Sequence, residues 1–363
     1  MTNKLVFENL KHRPVRTLLG VLIIGIQVMI ILALVGLSRG TLNEQVQHAR
    51  GVGADIVIRA PSSSVVSMSV GMREGVVAKI REQPYVQAAT GVLQQGTDLF
   101  NYVTGLDLAQ FDKLSGGFTF VAGGPFQGPM DVMIDDFYAR QHNYHVGQTI
   151  TLLKNPWRIC GVYQPGMLAR VVVPLATLQN LTANTGKVTM IYVKLRQPSQ
   201  MNAALAELRG LLKDYQINSM EEFTSLYSVN NIPMLKEFTW VVIGLGVLVG
   251  FLAVFLSMYT AVLERTREIG ILKALGASPG YVLNILLRET ALLAVGGSIL
   301  GILLSYVTRF AIYTFAPATL TQSIVPVWWP IAGAIAIAGA LLGAMYPGIK
   351  AARQDPIEAL AYD

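Results

Sequence analysis

Four apolar runs, each too long to be readily hidden as a helix inside a soluble domain, limit what this chain can fold into. The first, residues 17–37, has Thr17 and Gln27 as its only polar side chains. As a helix it rises about 31 Å, enough to cross a hydrocarbon core. The others are residues 238–263, 291–316 and 327–346. Between the first and second lie about 200 residues, 38–237, of ordinary polarity. The 52% hydrophobic and 14% charged content of the whole chain averages these two populations. That is too little charge for a fully soluble chain, which carries about 25%, and too apolar for a disordered one. The predicted fold class is an α-helical membrane protein with four transmembrane helices. A large extracytoplasmic mixed α/β domain is inserted between helices 1 and 2.

Basic residues set the expected orientation. Lys4, Lys11, Arg13 and Arg16 precede the first span, Arg265, Arg267, Lys273 and Arg288 follow the second, and Lys350 and Arg353 follow the fourth. The connection PATLTQSIVP between the third and fourth spans has neither Lys nor Arg. Both termini are therefore expected in the cytoplasm. Residues 1–16 form an amphipathic N-terminal segment, 264–290 a cytoplasmic connection and 347–363 a cytoplasmic tail. Trp328 and Trp329 fall at the outer interface, where indoles prefer to lie. The outer stretch carries 17 Lys/Arg against 15 Asp/Glu, so most of the net charge of +6 flanks the membrane. No basic run is interleaved with aromatics, which argues against a nucleic-acid partner. The first run is longer than a signal-peptide core and leads into LSRGTLNEQ without a small-residue cleavage pattern, so an uncleaved anchor is expected.

Within the outer stretch, ADIVIRA (54–60) reads as a strand closed by a turn at 61–64. Residues 71–83 show helical spacing at Met72, Val76, Val77 and Ile80, ended by Pro84. TITLLK and WRICGVY flank Asn155–Pro156, a hairpin with a two-residue turn. VTMIYVKL (188–195) alternates like a strand, and residues 199–215 are helical with Met201, Leu205, Leu208 and Leu212 on one face. Two strand–helix–strand groups thus flank a central β-rich subdomain at about 96–186.

Catalytic signatures are missing. No G-x-x-x-x-G-K-[ST], H-E-x-x-H, paired C-x-x-C or G-x-S-x-G occurs, and the single Cys160 has no disulfide partner in the chain. His142 and His145 could join Asp135 or Asp136 around a metal, but an exposed loop after a short helix is the simpler reading. No catalytic residue, cofactor or metal is expected in this chain. Within the spans, Arg309 lies close enough to the outer end to snorkel. Gly246 and Gly250, Gly297 and Gly301, and Gly339 and Gly343 are each spaced for close helix packing.

The informative segment is ERTREIGILKALGASPGYVLNILLRE, between the second and third spans. It begins as a continuation of the second span and turns at Gly276–Ala277. Ser278 can then cap a further helix with Pro279 at its first position, giving a short amphipathic element on the cytoplasmic face. Charged Glu264, Arg265, Arg267, Glu268 and Lys273 accompany apolar Ile269, Ile271, Leu272 and Leu275, a mixture suited to docking in a partner groove.

This segment, RTREIGILKALGAS, resembles the loop of permeases of the MacB/FtsX type, the mechanotransmission class of ABC transporter. The tail AARQDPIEAL and the opening NLKHRPVRTLLG resemble the same family, as does the order of one span, a large outer domain and three spans. The resemblance covers the whole chain; its motifs are strong at the loop and tail and weak in the outer domain. It implies a permease dimer, expected to be a homodimer in the bacterial inner membrane, above two copies of an ABC ATPase that bind ATP and Mg. With no P-loop here, the ATPase would be a separate subunit, and a periplasmic adaptor could join. The resemblance assigns ATPase coupling to Glu264, Arg265, Arg267, Glu268, Gly270, Lys273, Ala274, Gly276, Ala277 and Ser278, with a second contact at Asp355 and Pro356. The implied function is export or extraction of a hydrophobic or amphipathic substrate. The alternative is an FtsX-like signalling subunit that regulates an extracytoplasmic cell-wall hydrolase.

Overall fold

The computed structural model describes residues 8, 11, 14–61, 63, 71–97, 102–316 and 320–354. In chain order the elements begin with α1 (Pro14–Gly51), β1 (Ile56–Arg59), β2 (Met72–Arg73), α2 (Gly75–Arg81), β3 (Val86–Gly96) and β4 (Tyr102–Leu106). Then come α3 (Leu108–Ser115), β5 (Phe120–Gly123), β6 (Asp131–Asp135), α4 (Asp136–His142), β7 (Thr149–Leu152), β8 (Asn155–Tyr163) and β9 (Val171–Pro174). Next are α5 (Leu175–Leu181), β10 (Lys187–Val188), β11 (Met190–Leu195), α6 (Met201–Leu211), β12 (Gln216–Ser219) and α7 (Met220–Ser225). The chain ends with α8 (Pro233–Glu264), α9 (Thr266–Ala274), α10 (Pro279–Phe315) and α11 (Trp328–Arg353).

Four helices, α1, α8, α10 and α11, are long and apolar enough to cross a membrane. The chain divides into two compact units. One takes the chain through Ser38, Met234–Ala311 and everything from Gln322; the other takes Arg39–Pro233 and Ile312–Thr321. The long helices overrun the predicted spans. At 38 residues α1 extends about 57 Å, well beyond a hydrocarbon core of about 30 Å, and its last turns join the outer unit. The outer unit also gains residues 312–321, which apolar length alone assigns elsewhere.

In the helical unit, Ile24, Val28 and Ile31 of α1, Val254 and Met258 of α8, and Leu286, Leu293 and Ala294 of α10 share a core with α11. The α11 face is Ala332, Ala336, Ala340 and Ala344, small residues at four-residue spacing that let the helices approach closely. A Cβ at Gly301 would lie 2.6 Å from both Gly25 O and Val28 Cβ, and one at Gly297 would lie 2.6 Å from Ile24 Cβ. At Gly250 it would overlap the Gln27 amide, and at Gly343 it would stand 2.7 Å from Phe251 O. Gly246 and Gly339 are roomier, with nearest atoms at 4.0 and 3.7 Å. At Gly25, which glycine spacing does not single out, a Cβ would stand 3.1 Å from Leu300 Cδ2 and 3.3 Å from Gly297 O. Arg309 lies on an exposed face of α10.

The outer unit is built on one ten-stranded sheet, ordered β12-β1-β11-β3-β4-β9-β6-β8-β5, with β7 also paired to β8. Strands such as IVIR and DVMID are buried at every position because both faces are covered. Val77, Ile80, Leu175, Leu178, Leu205 and Leu208 of α2, α5 and α6 pack on one face with Ile56 and Ile58. Phe111, Leu114 and Phe223 of α3 and α7 pack on the other face with Val57, joined by Ala49 at the end of α1.

Several sequence expectations change here. The central stretch is not a separate subdomain: β4, β9, β6 and β8 continue the sheet begun by β1, β3, β11 and β12, since the β3–β4 pairing bridges the two parts. Met72 lies in strand β2 and α2 starts only at Gly75. The helix predicted at 199–215 is a 3-10 turn, Pro198–Gln200, followed by α6. The β7–β8 turn is Leu153–Lys154, not Asn155–Pro156. Its two residues have φ of 52° and 62°, as a type I′ hairpin requires, and proline cannot adopt them. Pro156 instead pairs with Thr151, ahead of Arg158 where β8 begins its pairing with β6. The turn expected at 61–64 lies partly outside the described residues.

The histidines carry no metal geometry. His142 stacks on Tyr144 with ring centroids 5.3 Å apart, while Asp135 is committed to Arg170 at 2.9 Å. Among the described residues no cluster could hold a metal ion. Burial pushes the Cys160 thiol up to about 11, which makes it a poor nucleophile at neutral pH.

His48, beyond the apolar stretch of α1, is 3% exposed. Burial, helped by the nearby Arg170 charge, pushes its pKa down to about 4. A histidine neutral in the fold but free to protonate near pH 6.5 when unfolded stabilises the fold fully above pH 6.5. That stability, about 3 kcal/mol, is lost as pH falls toward about 4. Glu44 and Asp135 act in the opposite sense, because burial raises their carboxyl pKa values and the fold takes up their protons first. Unfolding midpoints of the wild-type chain should therefore drop more steeply between pH 6.5 and 4.5 than those of His48→Gln. Parallel curves would show that His48 titrates as an ordinary exposed histidine.

Candidate coupling site

The segment after α8 does not continue that helix. Arg265 leaves helical geometry (φ −110°, ψ 15°), and a separate helix, α9, starts at Thr266. The break is held from the side. Arg265 Nη1 lies 3.3 Å from Glu289 Oε2, and Arg16 Nη2 lies 3.8 Å from Glu289 Oε1. Glu289 is 2% exposed and Arg265 7%. One carboxylate of α10 therefore ties together the start of α1, the α8–α9 corner and α10. Arg16 Nη2 also lies 3.8 Å from Met258 Sδ of α8.

The far end of α9 is equally defined. Gly276 takes φ +95°, Gly276 N donates to Lys273 O at 3.0 Å and Ala277 N to Leu272 O at 3.0 Å, a Schellman termination. Ser278 then caps α10, its Oγ accepting from Tyr281 N at 3.2 Å with Pro279 at the first position. The helix that Ser278 caps is not a separate amphipathic element, because Pro279–Phe315 is a single helix that includes the third apolar run. Lys273 Nζ donates to Ala352 O at 3.0 Å and also to Gln354 O, so the last turn of α11 is held against α9.

These contacts sort the predicted coupling residues. Arg265 and Gly270 face inward and are buried. Lys273 is half-buried and bound to α11. Glu264, Arg267, Glu268, Ala274, Gly276 and Ser278 are exposed, and Ala277 is half-buried. Alongside them Ile271 and Leu275 are 46% and 81% exposed, apolar side chains one turn apart on a charged helix face. Asp355 and Pro356 lie outside the described residues.

The motifs of the coupling segment do not single out Glu289. A signal was present: Val282, Ile285, Leu286, Glu289, Thr290 and Leu293 follow helical spacing, so a carboxylate sat on an otherwise apolar stripe. Taking the third helix to begin at 291 hid that register.

Four apolar helices, an α/β domain inserted after the first and a short helix held between the second and third define a polytopic membrane protein of permease architecture. A family profile described as "MacB-like periplasmic core domain" matches residues 17–211, and one described as "FtsX-like permease C-terminal" matches residues 240–356. The chain belongs to the MacB/FtsX-type ABC permease family. It is similar to the macrolide export ATP-binding/permease protein MacB of Escherichia coli strain K12, 27% identical over 390 residues, covering 97% of this chain. The same protein of Shigella sonnei is 26% identical over 385 residues. This chain spans 58% of the length of these relatives. Among solved structures, the periplasmic region of MacB from Actinobacillus actinomycetemcomitans aligns at 19% identity and TM-score 0.39, covering 48% of this chain and 94% of its own. The extracellular domain of the noncanonic ABC-type transporter YknZ from Gram-positive bacteria aligns at 13% and 0.35, covering 46% and 99%.

Proposed function

We propose that this chain is the membrane-spanning, non-catalytic subunit of an ATP-driven transporter in the bacterial inner membrane. Both termini and α9 face the cytoplasm, and the α/β unit faces the periplasm. An ABC ATPase, present in two copies and binding ATP and Mg, docks on the exposed face of α9 around Glu268, Ile271 and Leu275. The observation that carries this reading is the support of that face. A short helix with an outward apolar edge is fastened through Arg265 to Glu289 and through Lys273 to the end of α11. A rigid lever so anchored can pass a push from below into α10 and α1. The permease acts as a dimer, expected to pair identical chains, with a periplasmic adaptor where export crosses a second membrane. The substrate is hydrophobic or amphipathic, and hydrolysis moves the outer units without opening a polar channel through the helices.

Substitution at the exposed face tests this. Glu268→Lys should abolish recovery of the ATPase with the detergent-solubilised permease, while leaving its own unfolding midpoint within about 0.5 kcal/mol of wild type. Gly276→Val, which forces a β-branched residue into a left-handed conformation, should weaken both docking and local stability by about 1–2 kcal/mol. Unchanged ATPase recovery with both variants would remove α9 as the docking element.

A further inference from the structure

A second buried ion cluster lies in the outer unit, far along the chain from the coupling segment. Arg170, just before β9, is 6% exposed. Its guanidinium pairs with Glu44 on the outer part of α1 and with Asp135 at 2.9 Å. The same group lies 4.2 Å from the centroid of the Phe137 ring on α4. Asp135 is fully buried and also caps α4, accepting from Tyr138 N at 2.7 Å. Phe137 meets Tyr313 edge-on, with centroids 5.3 Å apart. One turn further, Gln141 Nε2 donates to Tyr313 O at 3.1 Å and to Ala316 O at 2.6 Å. Tyr313 lies in the last turn of α10 and Ala316 just past its end, where a helix leaves carbonyls to find donors outside its own ladder.

The segment before Arg170 grips α1 directly. Leu168 N donates to His48 O at 3.0 Å, and a Cβ at Gly51 would overlap Gly166 O. Two long helices that are remote in sequence thus end on one small assembly built from β6, α4 and the residues before β9.

We infer that Arg170 is a positioning residue: it fastens the outer ends of α1 and α10 to the sheet at β6, so that the sheet and both helix ends move as one body. Arginine suits the task because its planar fork engages two carboxylates while its face lies on an aromatic ring, which a lysine ammonium cannot do at once. Arg170 and Asp135 are buried and Glu44 is half-buried, so replacing Arg170 leaves both carboxylates desolvated and uncompensated together, whereas a change at Glu44 or Gln141 removes only one tie. Its use in transmitting movement rests on the permease reading; the clamp itself does not.

Site-resolved amide exchange on the full chain in detergent micelles tests the assignment. Arg170→Met should speed exchange at residues 39–51 and 312–316 together by about a hundredfold, while Ile191, Tyr192 and Val193 in β11 keep wild-type rates. Arg170→Lys should not restore protection. Glu44→Gln should loosen only 39–51, and Gln141→Ala only 312–316. These one-sided variants keep the test decisive should Arg170→Met fail to fold. The assignment is overturned if Arg170→Met leaves both helix ends at wild-type rates, or if Glu44→Gln and Gln141→Ala each loosen both ends alike. Adding the ATPase and a non-hydrolysable ATP analogue probes the other premise. Joint changes at both ends support transmission, whereas no change with the clamp intact would overturn the permease reading and leave the clamp standing.

Discussion

Glu289→Ala is expected to destabilise the helical unit by about 3–5 kcal/mol, the usual consequence of removing one member of a buried ion pair. The cost does not come from the lost attraction alone. Arg265, 7% exposed, would lose the Glu289 carboxylate beside its buried guanidinium, and Arg16 would lose the same partner. Thermal unfolding in micelles would read the drop. The double variant Glu289→Leu with Arg265→Met should recover much of it, since a packed apolar pair often matches a buried ion pair in stability. In a complex with its ATPase, that rescued chain should still be uncoupled, because the link from α9 to α10 would slide where a charged hydrogen bond had held one register. A Glu289→Ala chain that unfolds at the wild-type midpoint would show that the three side chains do not bear on one another.

The second large effect is expected where α1 and α10 meet. Gly301→Val places a branched side chain where a Cβ alone would stand 2.6 Å from Gly25 O and from Val28 Cβ. Backbone cannot yield as a side-chain tip does, so the helices must separate, at a cost of about 3 kcal/mol and a loss of folded yield. Gly246→Ala and Gly339→Ala are the controls. Their nearest neighbours lie at 4.0 and 3.7 Å, and an alanine in a helix gains conformational stability over glycine. Those chains should unfold at or slightly above the wild-type temperature. Equal losses in all three variants would mean that glycine spacing alone, and not backbone contact at α1–α10, governs packing here.

Much of the site is legible in the order of residues alone. Gly276, Ser278 and Pro279 announce a helix end followed by a helix start, and the structure has a left-handed Gly276, a serine cap and a proline at the first position of α10. Such signals are local: each depends on the backbone needs of one or two residues. What stayed hidden depended on partners distant in sequence. Asn155–Pro156 looked like the hairpin turn because both residues favour turns. The pairing of Trp157 with Ile150 set the turn two residues earlier, on Leu153–Lys154. The central β-rich stretch looked like a subdomain because nothing in its own residues says that β4 will pair with β3.

By itself the sequence determined the four long helices, the interposed α/β domain and the segment between the second and third helices. Apolar length and local capping answer to the solvent and to the adjacent backbone, with no need of a partner. The tertiary structure alone decided which charges are buried together. Glu289 with Arg265 and Arg16, and Arg170 with Glu44 and Asp135, are separated by 24 to 273 residues of chain. A lone arginine or carboxylate reads the same in any sequence. Only packing removes its water and makes one particular opposite charge the condition for its being there.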